Sequence, residues 1–347
     1  MELASHLGKM GIIWRAGGVR AKSVDRDVLM HWKENGCVAV VYGIESGSQT
    51  ILDVMEKNTT VEINFNAIKW TYEADLVTII QLVVGMPGET DQTIQETINF
   101  LKTCIPYYPK RFRGSHTVLL SVNYAQALPG SPLYEYARQN GSIGMIIEEE
   151  EKYLLKISNT NAYETDHYLN YTKEPLLKAL MWRPYLSGEI NAYYLKYFFG
   201  VSLSFAEVMH NLFSCFARIT FQKRIGQKTK IKIPLERDLD KQSDKKTEKV
   251  LSSFNNNLHP ITILFLNSVS RKWLFPLFAP IIHSFKYTKS PLRILKLLVD
   301  QLLWSITSRF LPEPDLPKKS LRKMVVIKPP TSAEEGSQLM VPLRLGR

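Results

Sequence analysis

The chain has 347 residues, 45% of them hydrophobic, which is enough for the core of one large domain or two smaller ones. Three cysteines, Cys37, Cys104 and Cys215, stand far apart with no CxxC or similar metal spacing; such sparse usage suits a reducing, intracellular compartment, with these thiols mostly buried and inert. The net charge is +11, and much of the excess lies late, around Lys223–Lys232, Lys245–Lys249 and Lys318–Lys323. It could serve nucleic acid, an anionic membrane surface or plain solvation, but no aromatic RNA-binding stretch accompanies it, so nucleic acid is not expected.

The opening MELASHLGKMG has no uninterrupted apolar segment of the secretory type and reads as a helix, with Leu3, Leu7 and Met10 at helical spacing. No apolar run reaches the roughly 18 residues that a membrane-spanning helix needs. These features predict a cytoplasmic location. Gly11–Ala21 reads as a short strand running into a loop, and Ser23 as the N-cap of a helix over Val24–Asn35 that Gly36 stops. Cys37–Gly43 is almost wholly apolar and valine-rich, the pattern of a strand buried on both faces of a parallel sheet. Helical patterns follow over Thr50–Met55 and Thr60–Ala74, with Thr60 as a cap.

Leu76–Val84 is a second buried strand, and GMPGE (Gly85–Glu89) is a loop of turn residues. Thr90 caps a helix through Cys104, with Thr93 and Glu96 placed for a capping box. His116–Gln126 is a further strand, and Leu133–Asn140 a short helix. This β-α-β-α rhythm predicts a parallel sheet with helices outside and functional residues in the loops after the strand carboxyl ends: Gly17–Lys22, Gly43–Ser48, Gly85–Thr90 and Ala125–Ser131.

The character changes near Ile147. An acidic helix start (Glu148–Glu151) leads into an aromatic-rich, helical stretch over 152–220, in which the rings read as core. Residues 223–257 are charged, then Asn- and Ser-rich. Residues 261–312 read as amphipathic helices broken by Pro276, Pro280 and Pro291, suited either to cover hydrophobic surface of the sheet domain or to lie on a membrane. The last 35 residues are rich in Pro, Lys and Ser, a disordered composition.

Three loop sequences, YGIESGSQ (42–49), LVVGMPGET (82–90) and LPGSPLY (128–134), resemble in this order and spacing the fourth, fifth and sixth strand loops of the radical S-adenosylmethionine (SAM) barrel, in the subgroup often fused to a cobalamin-binding domain. WRAGGVRA (14–21) resembles that family's third strand, and KYLLKISNTNAYETDHYLNYT (152–172) the segment that follows the barrel. The resemblance implies an α/β fold: an incomplete (β/α)6 barrel of about strands three to six over residues 1–145, then a mainly helical region. That region divides into a helical extension (146–222), a charged linker (223–260), amphipathic helices (261–312) and a tail (313–347).

It also implies a parent reaction, reductive cleavage of SAM to a 5′-deoxyadenosyl radical with a 4Fe–4S cluster. Cobalamin in the full-length parent, a reductant protein and a small-molecule or lipid-like substrate are further implications. Laid onto the residues, it gives Glu45 and Ser46 as hydrogen-bonding partners of SAM. Gly43, Gly47, Gly85 and Gly88 become points of close backbone approach, Pro87 stiffens the turn, and Leu128 and Pro129 offer apolar surface to adenine. Glu89 reads equally as a ligand or as a helix N-terminal charge, and Arg20 as a structural ion-pair partner.

The family's CxxxCxxC cluster loop has no counterpart in this sequence. The sequence alone therefore predicts a fragment of a radical SAM enzyme, inactive by itself; the alternative is a non-catalytic remnant acting as a binding protein or at a membrane surface, in contact through 261–312.

Overall fold

Two apolar strands form the centre of the molecule, and the rest is laid against them. In a computed structural model describing residues 1–113, 120–158, 165, 168–199, 275–311 and 320–325, β2 (Cys37–Glu45) and β3 (Val77–Val84) pair in parallel with Val40 opposite Thr78 and Tyr42 opposite Ile80. Most residues of both strands are buried. β1 (Trp14–Val19) joins the free side of β2, and β4 (Leu120–Tyr124) joins β3, giving a four-stranded parallel sheet in the order β1-β2-β3-β4.

Each connection between strands is helical: α2 (Arg26–Glu34), then α3 (Gln49–Val54) with α4 (Val61–Glu73), then α5 (Asp91–Cys104). α1 (Glu2–Lys9) precedes the sheet and packs on α2. α2, α4 and α5 stand side by side as one layer. The Tyr42 hydroxyl reaches Thr71 of α4 at 2.9 Å, and the Thr71 hydroxyl donates on to the Ala67 carbonyl. Such pairing lets a phenol lie fully buried between sheet and helix without an unmet polar group.

Several boundaries differ from the sequence reading for identifiable reasons. Asp25, not Ser23, caps α2: its carboxylate accepts the Val28 N–H at 2.8 Å, while Ser23 closes a short 3-10 turn. Gly17 and Gly18 belong to β1 and not to the loop after it. The box at the start of α5 is closed by Thr93, whose hydroxyl accepts the Thr90 N–H, because Glu96 turns instead to the Ser48 hydroxyl. Thr60 caps α4 through the Ile63 N–H.

After β4 come α6 (Pro132–Gln139), α7 (Ile147–Ile157) and α8 (Leu176–Phe199). α8 lies beside α5, in the same direction, and packs on β4 and β3. Trp182 donates to Asp91 at 2.8 Å, and Lys102 pairs with Glu189 at 3.3 Å. Pro184 sits inside α8, and its missing N–H leaves the Leu180 carbonyl without a helical donor. The buried Tyr124 hydroxyl of β4 donates to that carbonyl at 2.7 Å.

Farther on, α9 (Phe275–Tyr287) and α10 (Pro291–Thr307) form a hairpin resting on α8. Pro276 and Pro280 lie within α9, and Pro291 begins α10. Residues 321–324 form a short helix, α11, in the stretch read as a disordered tail; Leu321 joins the main core there. The expected linker, residues 114–119 and Cys215 lie outside the described residues.

Replacing Tyr124 by Phe strands a buried carbonyl and is expected to cost about 1–3 kcal/mol in denaturant unfolding. Pro184→Ala restores the helical donor, so in that background the same change should cost clearly less; equal costs in the two backgrounds would remove the hydroxyl–carbonyl bond from this account.

Candidate functional site

The carboxyl ends of the strands gather the loops that the sequence singled out. At the end of β2 the register slips: Gly43 faces Gln81, but Glu45 faces Leu82. Glu45 consequently takes φ +66°, a left-handed conformation that a non-glycine residue adopts only at a cost. Its side chain is mostly covered, at 18% exposure, and pairs with Lys57 at 2.8 Å. Arg20 lies exposed.

The neighbours of Glu45 are held from within. Ser46 is buried, with its hydroxyl 3.1 Å from that of Thr97, and the Gly47 N–H donates to the Thr97 hydroxyl at 3.0 Å. A β-carbon on Gly47 would stand 2.6 Å from the Phe100 Cβ and 2.8 Å from the Thr97 Cα. Gly47 therefore lets the loop press flat against α5. A β-carbon on Gly43 would meet the Glu45 carboxylate at 2.8 Å.

The GMPGE turn is closed in the same manner. Gly85 and Gly88 both have left-handed φ, +89° and +81°, which the turn requires. The Glu89 carboxylate folds back and accepts the Gly85 and Met86 N–H groups at 2.5 and 3.1 Å. Pro87 is buried and Gly88 half-buried. The Tyr168 ring fills the space beside Gly85, and its hydroxyl donates to the Gly85 carbonyl at 3.1 Å. Burial pushes the Glu89 carboxyl up to about 7, against the two N–H donors that favour its charge.

After β4, Leu128 and Pro129 are exposed at the rim. Two neighbour spacings, about 10 Å across the sheet, separate the ends of β2 and β4. Between them lies the sheet face turned away from the helices. Side chains alternate along a strand, and Tyr42 and Tyr124 point to the helices, so Gly43, Gln81, Ser121 and Asn123 belong to the opposite face. Gly43, Gln81 and Ser121 form one register row, all half-buried. Reading the loops alone missed Gln81, Ser121 and Asn123. Their signal was visible: single polar residues interrupting apolar strands, the last two at a spacing of two.

Among the described residues no three His, Cys, Asp or Glu side chains gather as a metal site. Cys37 and Cys104 are buried, and burial pushes their thiols up to about 11 and about 12. Both thiols lie inside the core, and neither belongs to a group of possible metal ligands among the described residues.

Residues 2–101 match the sequence model of the radical SAM superfamily. The match runs from α1 into α5 and takes in WRAGGVRA, YGIESGSQ and LVVGMPGET; LPGSPLY lies beyond it. The chain is 30% identical over 136 residues to an uncharacterized methyltransferase of Pyrococcus horikoshii, covering 38% of this chain and 26% of that protein. It is 38% identical over 89 residues to an anaerobic magnesium-protoporphyrin IX monomethyl ester cyclase of Cereibacter sphaeroides, covering 26% of this chain and 14% of the cyclase. This chain thus spans about a quarter or less of these curated relatives' lengths. The solved cobalamin-dependent SAM radical enzyme OxsB, with aqua-cobalamin bound, aligns with 88% of this chain and 44% of its own at 13% identity, with a TM-score of 0.34.

Two outcomes follow from this packing. Gly47→Ala should destabilise the chain by about 1–3 kcal/mol in denaturant unfolding, since backbone atoms of α5 must move; an unchanged midpoint would contradict the contact. Glu89 has its folded value raised above the unfolded one, so its contribution is present at low pH and is lost as pH rises from about 4.3 towards about 7. Thermal unfolding across that window should show wild-type stability declining relative to Glu89→Gln; parallel curves would show that the carboxyl titrates normally.

Proposed function

We propose that this chain, whose residues 2–101 belong to the radical SAM superfamily, forms the SAM-facing part of a radical SAM barrel and leaves the iron–sulfur cluster to ligands other than its described cysteines. The observation that carries the reading is the slipped register at the end of β2. It turns Glu45 into a strained conformation and holds a partly open carboxylate at the rim, where a fixed acceptor for nucleoside hydroxyls is needed.

The residues fit SAM unevenly. Glu45 offers the acceptor, Lys57 beside it a cation, and Leu128 with Pro129 an exposed apolar surface for adenine. Half-buried Gln81 and Asn123 supply amide groups on the intervening face. Ser46, Gly47, Gly85 and Pro87 act by shaping the loops, because their own surfaces are taken up inside the chain. The cluster does not fit the cysteines described, and no step of this chain is derived through it.

In a whole protein of this family the bound cluster supplies the electron that cleaves SAM to a 5′-deoxyadenosyl radical. Cobalamin, a reductant protein and a small-molecule or lipid-like substrate enter this reading as properties of that larger protein. A second reading, a non-catalytic protein acting at a membrane surface, draws support from the exposed apolar faces of α9 and α10.

Calorimetric titration of the chain with SAM should register binding, weakened roughly tenfold or more by Glu45→Gln, as for hydrogen bonds to a charged group. Unchanged affinity in the variant would take Glu45 out of the site. Anaerobic reconstitution with iron and sulfide should leave no cluster absorption on the chain; a stoichiometric 4Fe–4S cluster that survives gel filtration would overturn the division of labour.

A further inference from the structure

The outer hairpin carries more exposed apolar surface than its packing explains. On α10, Leu292, Leu295, Val299, Leu302, Leu303 and Ile306 are all solvent-exposed, Leu292 at 80%. At 3.6 residues per turn these six fall within a sector of roughly 100°. The opposite side of the helix holds Ile294 and Leu297, both buried. α9 repeats the design: Leu277, Phe278, Ile281, Ile282 and Phe285 are exposed and occupy roughly 140° of its circumference, while Ala279 on the far side is buried against Met181 and Tyr185 of α8. α10 thus has two apolar faces, one turned inward and one left outside, while α9 turns Ala279, His283 and Ser284 inward and leaves its apolar face outside.

The charge around the outer faces is one-sided. Residues 275–311 contain Lys286, Lys289, Arg293, Lys296 and Arg309 against a single acid, Asp300. Lys296 borders the α10 stripe beside Leu303, and Lys286 borders the α9 stripe beside Ile282. No helix among the described residues is long and apolar enough to cross a membrane.

We propose that the α9–α10 hairpin docks on an anionic phospholipid surface, lying in the plane of the interface with its outer stripes among the acyl chains and its basic margin at the phosphates. The combination of a strong apolar stripe with lysines along its edge is that of an interfacial helix. A contact with a second copy would favour a stripe rich in aromatic residues and free of lysine; α9 supplies Phe278 and Phe285, but the α10 stripe is wholly aliphatic and has Lys296 at its edge. The basic edge also gives this face a long-range attraction that a protein-covered core face does not need.

The test is cosedimentation of the full chain with vesicles of phosphatidylcholine and phosphatidylglycerol, and with vesicles of phosphatidylcholine alone. The chain should bind the mixed vesicles, and salt should weaken that binding. Leu295→Glu with Leu302→Glu, both at exposed positions, should lower partition at least roughly tenfold with an unchanged unfolding midpoint. Lys289→Gln with Lys296→Gln should lower it roughly tenfold on mixed vesicles and far less on neutral ones. The proposal is overturned if the wild type stays in the supernatant, or if the leucine variants bind as well as it does. It is equally overturned if gel filtration shows a wild-type dimer that the leucine variants dissolve, which would assign the face to a second copy.

Discussion

One hydrogen bond that a proline makes necessary ties the sheet to the described helices that follow it. Pro184 removes the donor for the Leu180 carbonyl, and a carbonyl buried there without a partner would be costly. Tyr124, at the end of the edge strand β4, supplies the proton. Together with the Arg183 guanidinium, which donates to the Val122 carbonyl at 2.6 Å, this bond ties α8 to β4, and in that position Trp182 meets Asp91 and Glu189 meets Lys102. It also sets the platform on which α9 and α10 rest.

The same economy governs the rim. Loops rich in glycine invite the idea of a cradle for a ligand, but a glycine also permits two pieces of one chain to touch. At Gly47 the visitor is α5, and at Gly85 it is Tyr168. These contacts stiffen the loops and leave few groups facing outward. Glu45 keeps part of its carboxylate open beside Lys57, where the register slips, between its buried neighbours Ile44 and Ser46. Rigidity behind and a strained carboxylate in front is the arrangement expected of a residue that must be in place before its ligand arrives.

The two functional readings draw on different parts of the molecule. The SAM reading rests on the rim and on the sheet face away from the helices; the lipid proposal rests on the outermost hairpin. They are physically independent, and they are compatible with a lipid-like substrate, although neither requires one.

Much of this was legible in the residues themselves. The valine- and isoleucine-rich runs at Cys37–Gly43 and Leu76–Val84 can hardly be anything but doubly buried parallel strands, and Thr60 and Thr90 announce their helices because capping is a local bond. The family's loops were legible for the same reason, being short contiguous strings. Other features were not local. Whether Glu96 or Thr93 closes the α5 box depends on Ser48, some fifty residues away. That Gly47 and Gly85 serve packing, that Gln81 and Ser121 share a row with Gly43, and that one apolar stripe of α10 faces outward were settled only when the chain folded back on itself. Periodicity shows that a residue will be on a face; only the packed partner decides what that face meets.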